Sequence, residues 1–385
     1  MLIEMVSYMG AVLSLKGDML ANENYLRTVK NRNNLQKLLE LVGVSMRGPL
    51  GAAAGAVLET TATMATGNFP LRINAADRVF SIIGKEDGAP VNYTLCKVEN
   101  NKIQDIQNAN ASFDLEQSET ANGGVGGASS IFTNVGMLEG ALTTQEGVFD
   151  TLEGNKLIDG SVQVFITTPE ATDAARGAYS QVDRLYSASG STDKIFQVVY
   201  DDNYGATVIF GDNVLGISPP AGAQFTVAYR VGGGSRGNIG QEMINVTIPA
   251  YKASAYTDSI SFITENRTAA TGGQEAETAA HAKKYAPYTF KRQDRVVTLE
   301  DYVAFGNTFR TTQGTVGKTT AVLRDAYSSA NVIDLYTLEK ADDLRLQRAS
   351  TTFKEQLLAE IEPKKMMTDE VVVVDGLIRT LDIVI

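Results

Sequence analysis

Three short stretches of the chain hold residue types that could do chemistry. Gly233-Gly234-Ser235-Arg236-Gly237 has the G-x-S-x-G spacing of a nucleophile elbow, and Ser235, Asp258 and His281 follow in the order nucleophile, acid, base. An elbow needs a strand before it and a helix after it, so that the serine sits on a strained turn. Here residues 243–248 read as another strand. His281 falls in an alanine-rich helix beside Glu277 and Lys284, where solvent is its expected partner. A glycine-rich turn is the plainer reading. Thr312-Gln313-Gly314-Thr315-Val316-Gly317-Lys318-Thr319 misses the phosphate-loop pattern only at its first position. That loop must join a strand to a helix whose N-terminus faces the phosphates. Here a helix precedes and a strand over 320–323 follows, so the order is reversed, although Asp334 could imitate a magnesium-binding aspartate. Asp201-Asp202-Asn203 could hold calcium, but a calcium loop places glycine sixth and glutamate twelfth, whereas Gly205 is fifth and Asp212 twelfth. A hairpin turn accounts for these residues.

Composition removes further classes. The 385 residues contain 34 Lys and Arg against 45 Asp and Glu, a net charge of −11, which argues against a nucleic-acid partner. One cysteine, Cys96, excludes an internal disulfide framework, and one histidine, His281, excludes any site needing two imidazoles. Cys96 lies in a strand-like run and reads as a buried structural thiol. No apolar run approaches the ~18 residues that span a bilayer, and no membrane contact, metal or cofactor is expected. At roughly 100–200 residues per domain, the length predicts two to four domains.

The elements that must position these residues fall into three regimes. Residues 1–45 read as helix: Leu2, Met5, Val6, Met9, Val12 and Leu13 form one apolar stripe, and Tyr25, Leu26, Val29, Leu35, Leu38, Leu39 and Val42 a second. The polar run 30–34 between them predicts a break or a solvated face. The first stripe starts without a cap, which suggests that part of a helix precedes it. Such stripes must be buried, and only two or three helices are near in sequence. The segment 1–52 is therefore expected to be an inter-subunit bundle in which Val6 and Met9 dock on another chain.

A β-rich domain is expected over 53–160, with strands at 56–61, 91–98 and 162–167 and a Gly/Ser-rich loop at 123–130. A hairpin and meander domain is expected over 161–255: Phe196, Val198 and Tyr200 alternate, turn, and alternate again at Val208 and Phe210. Two further turns lead to a strand with Phe225, Val227 and Tyr229 on one face, completing an antiparallel meander. Residues 256–385 read as α+β. A helix over 275–286 stops at Pro287, and Thr298 with Asp301 caps the next helix, which carries Tyr302. Strands at 319–323 and 332–338 precede a helix with Leu346, Ser350, Phe353, Leu357 and Ile361 on one face. Strands at 371–374 and 377–385 close a β-β-α-β-β unit. The fold class is α+β multi-domain, with amino-terminal helices, central antiparallel β-rich domains and small carboxy-terminal α+β domains.

Two blocks of residues carry a resemblance. The first is Val208-Ile209-Phe210-Gly211-Asp212-Asn213, Gly216, Pro219-Pro220-Ala221-Gly222, then Tyr229-Arg230-Val231-Gly232-Gly233-Gly234 and Gly237-Asn238-Ile239. The second is Ala270-Thr271-Gly272-Gly273-Gln274-Glu275-Ala276-Glu277, Lys283, Ala286-Pro287, Gln293-Asp294-Arg295, Val297-Thr298 and Asp301-Tyr302. In this order and at about this separation they resemble the baseplate J-like family, wedge components of contractile phage tails and related injection machines. Leu2-Ile3-Glu4, Ala21-Asn22-Glu23 and Leu41-Val42-Gly43-Val44 are similar too. Asn213 stands where the family usually has glycine, and asparagine tolerates the same left-handed turn. Family members usually continue beyond the equivalent of Ile385, so both ends read as trimmed.

The resemblance implies a structural protein without enzymatic activity. It would sit in the virion at the tail baseplate after assembly in the host cytoplasm. Its partners would be other wedge and hub proteins and further copies of itself, in dimeric contacts within a six-fold ring that couples host attachment to sheath contraction. A β-rich receptor-binding or adhesin subunit, or a nucleotide hydrolase resting on Lys318, are the alternatives.

Overall fold

The computed structural model describes residues 2–83, 90–99, 102–103, 112–121, 130–147, 157–168, 173–200, 206–311, 314–324, 331–340 and 345–379. The amino-terminal pattern becomes two helices, α1 (Leu2–Asn22) and α2 (Arg32–Leu41). The polar run between them is a cap. The Asn31 side chain accepts from Asn33 N at 2.9 Å and Asn34 N at 3.2 Å, satisfying donors that a helix start leaves free. Just beyond α1, the Glu23 carboxylate accepts from Lys30 N at 2.9 Å, the Asn34 side chain at 3.1 Å and Asn31 N at 3.2 Å. These bonds fix the corner and hold the Glu23 carboxyl below its ordinary range.

The second apolar stripe is spent inside the chain. Leu35 and Leu39 of α2, with Val29 and Met46, bury against Ala282 and Ala286 of α3 (Ala279–Arg292). Each buried leucine contributes about 1.5–3 kcal/mol. The second half of the segment expected to form an inter-subunit bundle thus buries part of its stripe within the chain. The helix expected over 275–286 is also shifted. It starts after the Thr278 cap and runs through Pro287 to Arg292. Proline removes one intrahelical bond and crowds a carbonyl. Here Ala282 and Ala286 pack on α2, and that contact holds the helix across the proline.

The first sheet takes β1 (Ala53–Thr60), β2 (Leu71–Ile73), β3 (Val79–Ile83), β4 (Pro90–Glu99), β5 (Lys102–Ile103), β6 (Phe113–Leu115), β7 (Thr120–Ala121) and β8 (Ser130–Glu139). The second takes β9 (Ala141–Gly147), β10 (Gln163–Thr167), β11 (Gly177–Val182), β12 (Ile195–Tyr200), β13 (Ala206–Phe210) and β14 (Gln224–Val231). The chain then returns to the first sheet with β15 (Asn245–Lys252) and β16 (Ala255–Glu265).

Among the described residues the first sheet runs β3-β4-β8-β1-β16-β15-β2-β6, with β5 and β7 at its margins. Its core gathers Leu58, Phe132 and Phe262, the two rings edge to face at 5.3 Å. Cys96 is buried with Ala53 and Leu138. The second sheet runs β13-β12-β11-β10-β14-β9 around Ile166, Phe196 and Val227. β12 and β13 form the expected hairpin, Phe196 opposite Phe210 and Tyr200 opposite Ala206. Its turn, Asp201 to Gly205, lies outside the described residues, as do residues 123–129 of the Gly/Ser-rich loop.

β14 does not extend that hairpin into a meander; it pairs with β10 and β9. The connection before it crosses the sheet, tied down by Gly216 N to Gly190 O at 3.1 Å and Ile217 N to Asp193 O at 2.9 Å. The second-sheet unit therefore spans 141–231. β15 and β16, divided in the sequence reading between two domains, both complete the first sheet.

The third unit packs α4 (Leu299–Thr308) and α5 (Thr351–Ile361) on β17 (Arg310–Thr311), β18 (Gly314–Arg324), β19 (Asn331–Lys340), β20 (Leu346–Arg348) and β21 (Asp369–Asp375). Phe353, Leu357 and Ile361 are fully buried, as their spacing predicts. Leu346 instead lies in β20, and Ser350 is the cap of α5, accepting from Phe353 N at 3.2 Å. β21 runs parallel to β19. Residues 376–379 are not strand, and 380–385 lie outside the described residues.

Candidate assembly surface

α1 is a helix whose apolar side chains no described residue of the chain buries. Met5, Val6, Tyr8, Met9, Val12, Leu13, Leu15, Met19 and Leu20 are all exposed, from 43% at Val12 to 71% at Tyr8. Helical spacing sorts them into two seams. Met5, Tyr8, Val12, Leu15 and Met19 alternate at three and four residues; Val6, Met9, Leu13 and Leu20 do the same one residue round, with Lys16 between. Ser7, Gly10, Ser14 and Gly17 occupy the remaining face, and nothing approaches either glycine within 4 Å. A single seam pairs with one neighbouring helix. Two adjacent seams can meet two neighbours at once. The stripe legible in the sequence contains the first half of both seams; Tyr8, Leu15, Met19 and Leu20 extend it, and their heptad spacing was the available signal.

The structure brings the two motif blocks together. The Asn238 side chain donates to Gly273 O at 2.9 Å and accepts from Gly273 N at 2.9 Å, imitating a strand neighbour. Gly234 N donates to Leu50 O at 3.0 Å, and a Cβ on Gly234 would overlap the Glu275 carboxylate. Gly233, at φ +88°, passes so close that a Cβ would stand 3.1 Å from Pro49 Cβ. Gly232 and Gly272 share the positive-φ backbone.

Asp212 closes the turn after Gly211. Its carboxylate accepts from Leu215 N at 2.8 Å and Val214 N at 2.9 Å, which lowers its pKa, and Asn213 adopts the left-handed φ of 68°. Thr298 and Asp301 form the reciprocal cap of α4. Tyr302 is fully buried, its hydroxyl donating to Asp369 at 3.0 Å, while Arg295 donates to the Gln293 side chain at 2.7 Å. Burial, then the Asp369 bond, pushes the Tyr302 pKa up. Asp212, Thr298 and Asp301 bond backbone and Tyr302 lies in the core, whereas Arg295 is exposed and bonds a neighbouring side chain.

One residue that sequence reasoning missed ties the junction together. Glu139, at the end of β8, is buried, its side chain accepting from Ala52 N at 3.0 Å and from Gly233 N at 3.1 Å. The signal for it was a carboxylate placed directly before Gly140 at the end of an apolar run.

Among the described residues, neither the elbow-like nor the phosphate-loop-like motif has the element order its chemistry needs. Ser235 begins a single 3-10 turn, Ser235–Gly237, and the next element is strand β15. Lys318 lies inside β18, opposite Leu338, rather than at the mouth of a helix; Thr312 and Gln313 lie outside the described residues. Asp334 is bound by Arg324, at 2.6 and 2.9 Å. His281, expected in solvent, is half-buried with Nδ1 2.7 Å from Glu277 and its ring 4.5 Å from that of Tyr285. Burial pushes the Glu277 carboxyl up, but His281 and Arg47 outweigh it and leave the pKa lowered. A cleft lies between residues 42–50, α3 and the third unit. On its wall, burial lowers the pKa of Arg292, whose guanidinium stacks 4.8 Å over Phe305. Among the described residues no three His, Cys, Asp or Glu side chains converge as a metal site requires. No described helix is long and apolar enough to cross a membrane.

No protein-family model and no curated protein matches the chain. Among solved structures it overlays a chain of the six-fold symmetrised cryo-EM structure of the anti-feeding prophage (AFP) baseplate, at TM-score 0.31 and 11% identity. The overlay covers 96% of this chain and 66% of the other, so this chain spans just under two thirds of that protein's length. At that TM-score the overlay carries no argument.

Proposed function

We propose that the chain is a structural component of the baseplate of a contractile tail or related injection system. Within it, the chain acts as a wedge protein that joins neighbouring wedge and hub subunits, and further copies of itself, in a six-fold ring around the hub. The observation that carries this reading is α1: nine exposed large apolar residues, arranged in two seams, that only other helices can cover. The paired motif blocks support it, since the residues that carry the baseplate J-like resemblance are those that build the contact at Gly234, Asn238 and Gly273. The mechanism is mechanical, a rigid-body movement of packed units with no covalent step.

Co-expression with the neighbouring tail genes, followed by electron microscopy of the particles, tests the reading. Wild-type chain should enter the baseplate. A chain that stays free of tail particles, or that binds cell-surface glycan as an isolated subunit, would remove it. We also propose that the chain has no nucleotide hydrolase activity, because Lys318 lies within a strand. Hydrolysis that disappears in Lys318→Ala would overturn this.

A further inference from the structure

The first and second sheets are joined by two covalent crossings. One is Glu139-Gly140-Ala141, leading from β8 to β9; the other is Val231-Gly232-Gly233-Gly234, leading out of β14 towards β15. Both are built from glycines at positive φ, +126° at Gly140 and +146°, +88° and +104° at Gly232 to Gly234. Side chains resist that conformation, and glycine accepts it with the least restriction on movement. Two glycine crossings between two packed sheets are the anatomy of a hinge.

One side chain spans both. The Oε2 of Glu139 accepts from Ala52 N, at the entry to the first sheet, and its Oε1 accepts from Gly233 N in the other crossing. Its own carbonyl accepts from Arg230 Nη1 of β14 at 3.3 Å. Gly237 packs so tightly on the carboxylate that a Cβ there would overlap it, and Tyr93 of β4 donates to the Gly237 carbonyl. We propose that Glu139 is the latch of an inter-sheet hinge: standing in one crossing, its carboxylate bonds Gly233 in the other and Ala52 at the entry to the first sheet, and so fixes the angle between the two sheets.

The charged and titratable groups that face the carboxylate are Arg230 from β14, Arg236 from the turn after Gly234, and Tyr93 from β4; the approach to β1, residues 50–55, contributes none. Burial raises the Glu139 pKa to about 7, against the lowering contributions of the two backbone donors and the two arginines. The closed latch therefore holds a proton that a hydrated carboxyl would release near its ordinary value. By linkage, the closed state is favoured below that ordinary value and loses its advantage as pH rises through about 7. The latch should open on the alkaline side. This inference stands on the geometry of one chain and does not require the baseplate reading.

Hydrogen exchange on the full chain tests it, read at the amides of Ala52 and Gly233 against core amides of both sheets. Glu139→Gln should raise exchange at those two amides about tenfold or more while leaving Leu58 and Val227 protected. In the wild type, after correction for intrinsic rates, protection of the same two amides should fall between pH 6 and 8; in Glu139→Gln that pH dependence should vanish. Glu139→Asp, one methylene shorter, should fall between. Unchanged protection in Glu139→Gln overturns the latch. An equal loss across both sheets overturns it too, because the residue would then support the whole fold rather than the hinge.

Discussion

Along α1, nine large apolar side chains lie in water; at the junction between the first two sheets, a carboxylate lies out of it. Both arrangements are unfavourable if nothing compensates. The junction compensates internally, with two backbone donors on the Glu139 side chain and arginines nearby. α1 has no such answer among the described residues. The contrast separates two ways in which an unfavourable group is handled. A locally complete site holds its own charge, and an incomplete one leaves apolar surface that the described residues do not cover.

The largest expected effect breaks the incomplete side. Val6→Asp with Met9→Asp puts two charges into one seam of α1, and each would have to be buried unpaired at a helix–helix contact. Incorporation into particles should be lost entirely. Circular dichroism and the thermal transition of the isolated chain should not change, since neither residue touches the three sheet units. Normal assembly of the double variant would make α1 an ornament rather than an interface.

On the complete side, Gly233→Val should destabilise the fold by about 1–3 kcal/mol, because valine is forced into a positive φ against Pro49. Chemical denaturation of the isolated chain measures this. A wild-type midpoint would show that the crossing relaxes, and would weaken the claim that its backbone is fixed. Tyr302→Phe is expected to cost less, about 1–2 kcal/mol, since it removes one buried hydrogen bond and leaves Asp369 with the Asn331 side chain at 3.2 Å. That change sits in the third unit. It should leave both hinge exchange and assembly as they are, and so serves as the control for the other two.

What could be read in the sequence follows the same division. α1, the β12–β13 hairpin, the α4 cap and the α5 face were legible because each depends on residues within a few positions of one another. The meander was misread because β14 pairs with β10 and β9, a choice made by the crossing connection and invisible to local alternation. The helix through Pro287 was misread because its stabilising contact lies more than two hundred residues away, at Leu35 and Leu39. Glu139 was missed for the same reason: its donors come from Ala52 and Gly233, and only the fold brings them together. The exposed face of α1 was visible in outline because an apolar stripe is a one-dimensional signal. Its second seam emerges once the helix is followed to Asn22 without a break.

The smallest effect probes the corner between the two sides. Asn31 caps α2 through Asn33 N and Asn34 N, and Glu23 binds the same corner from the end of α1. Replacing a capping asparagine by alanine costs about 1 kcal/mol, roughly a fivefold change in a local opening equilibrium. Asn31→Ala should therefore speed exchange at the Asn33 and Asn34 amides by about fivefold. The amide of Leu39, one turn deeper and packed on α3, should stay protected. Assembly should persist, because both seams of α1 remain intact and the Glu23 bond to Lys30 N still restrains the corner. If this mild change instead abolished assembly, the direction in which α1 leaves the body would matter as much as the seams it carries, and the interface would have to be redrawn to include the corner.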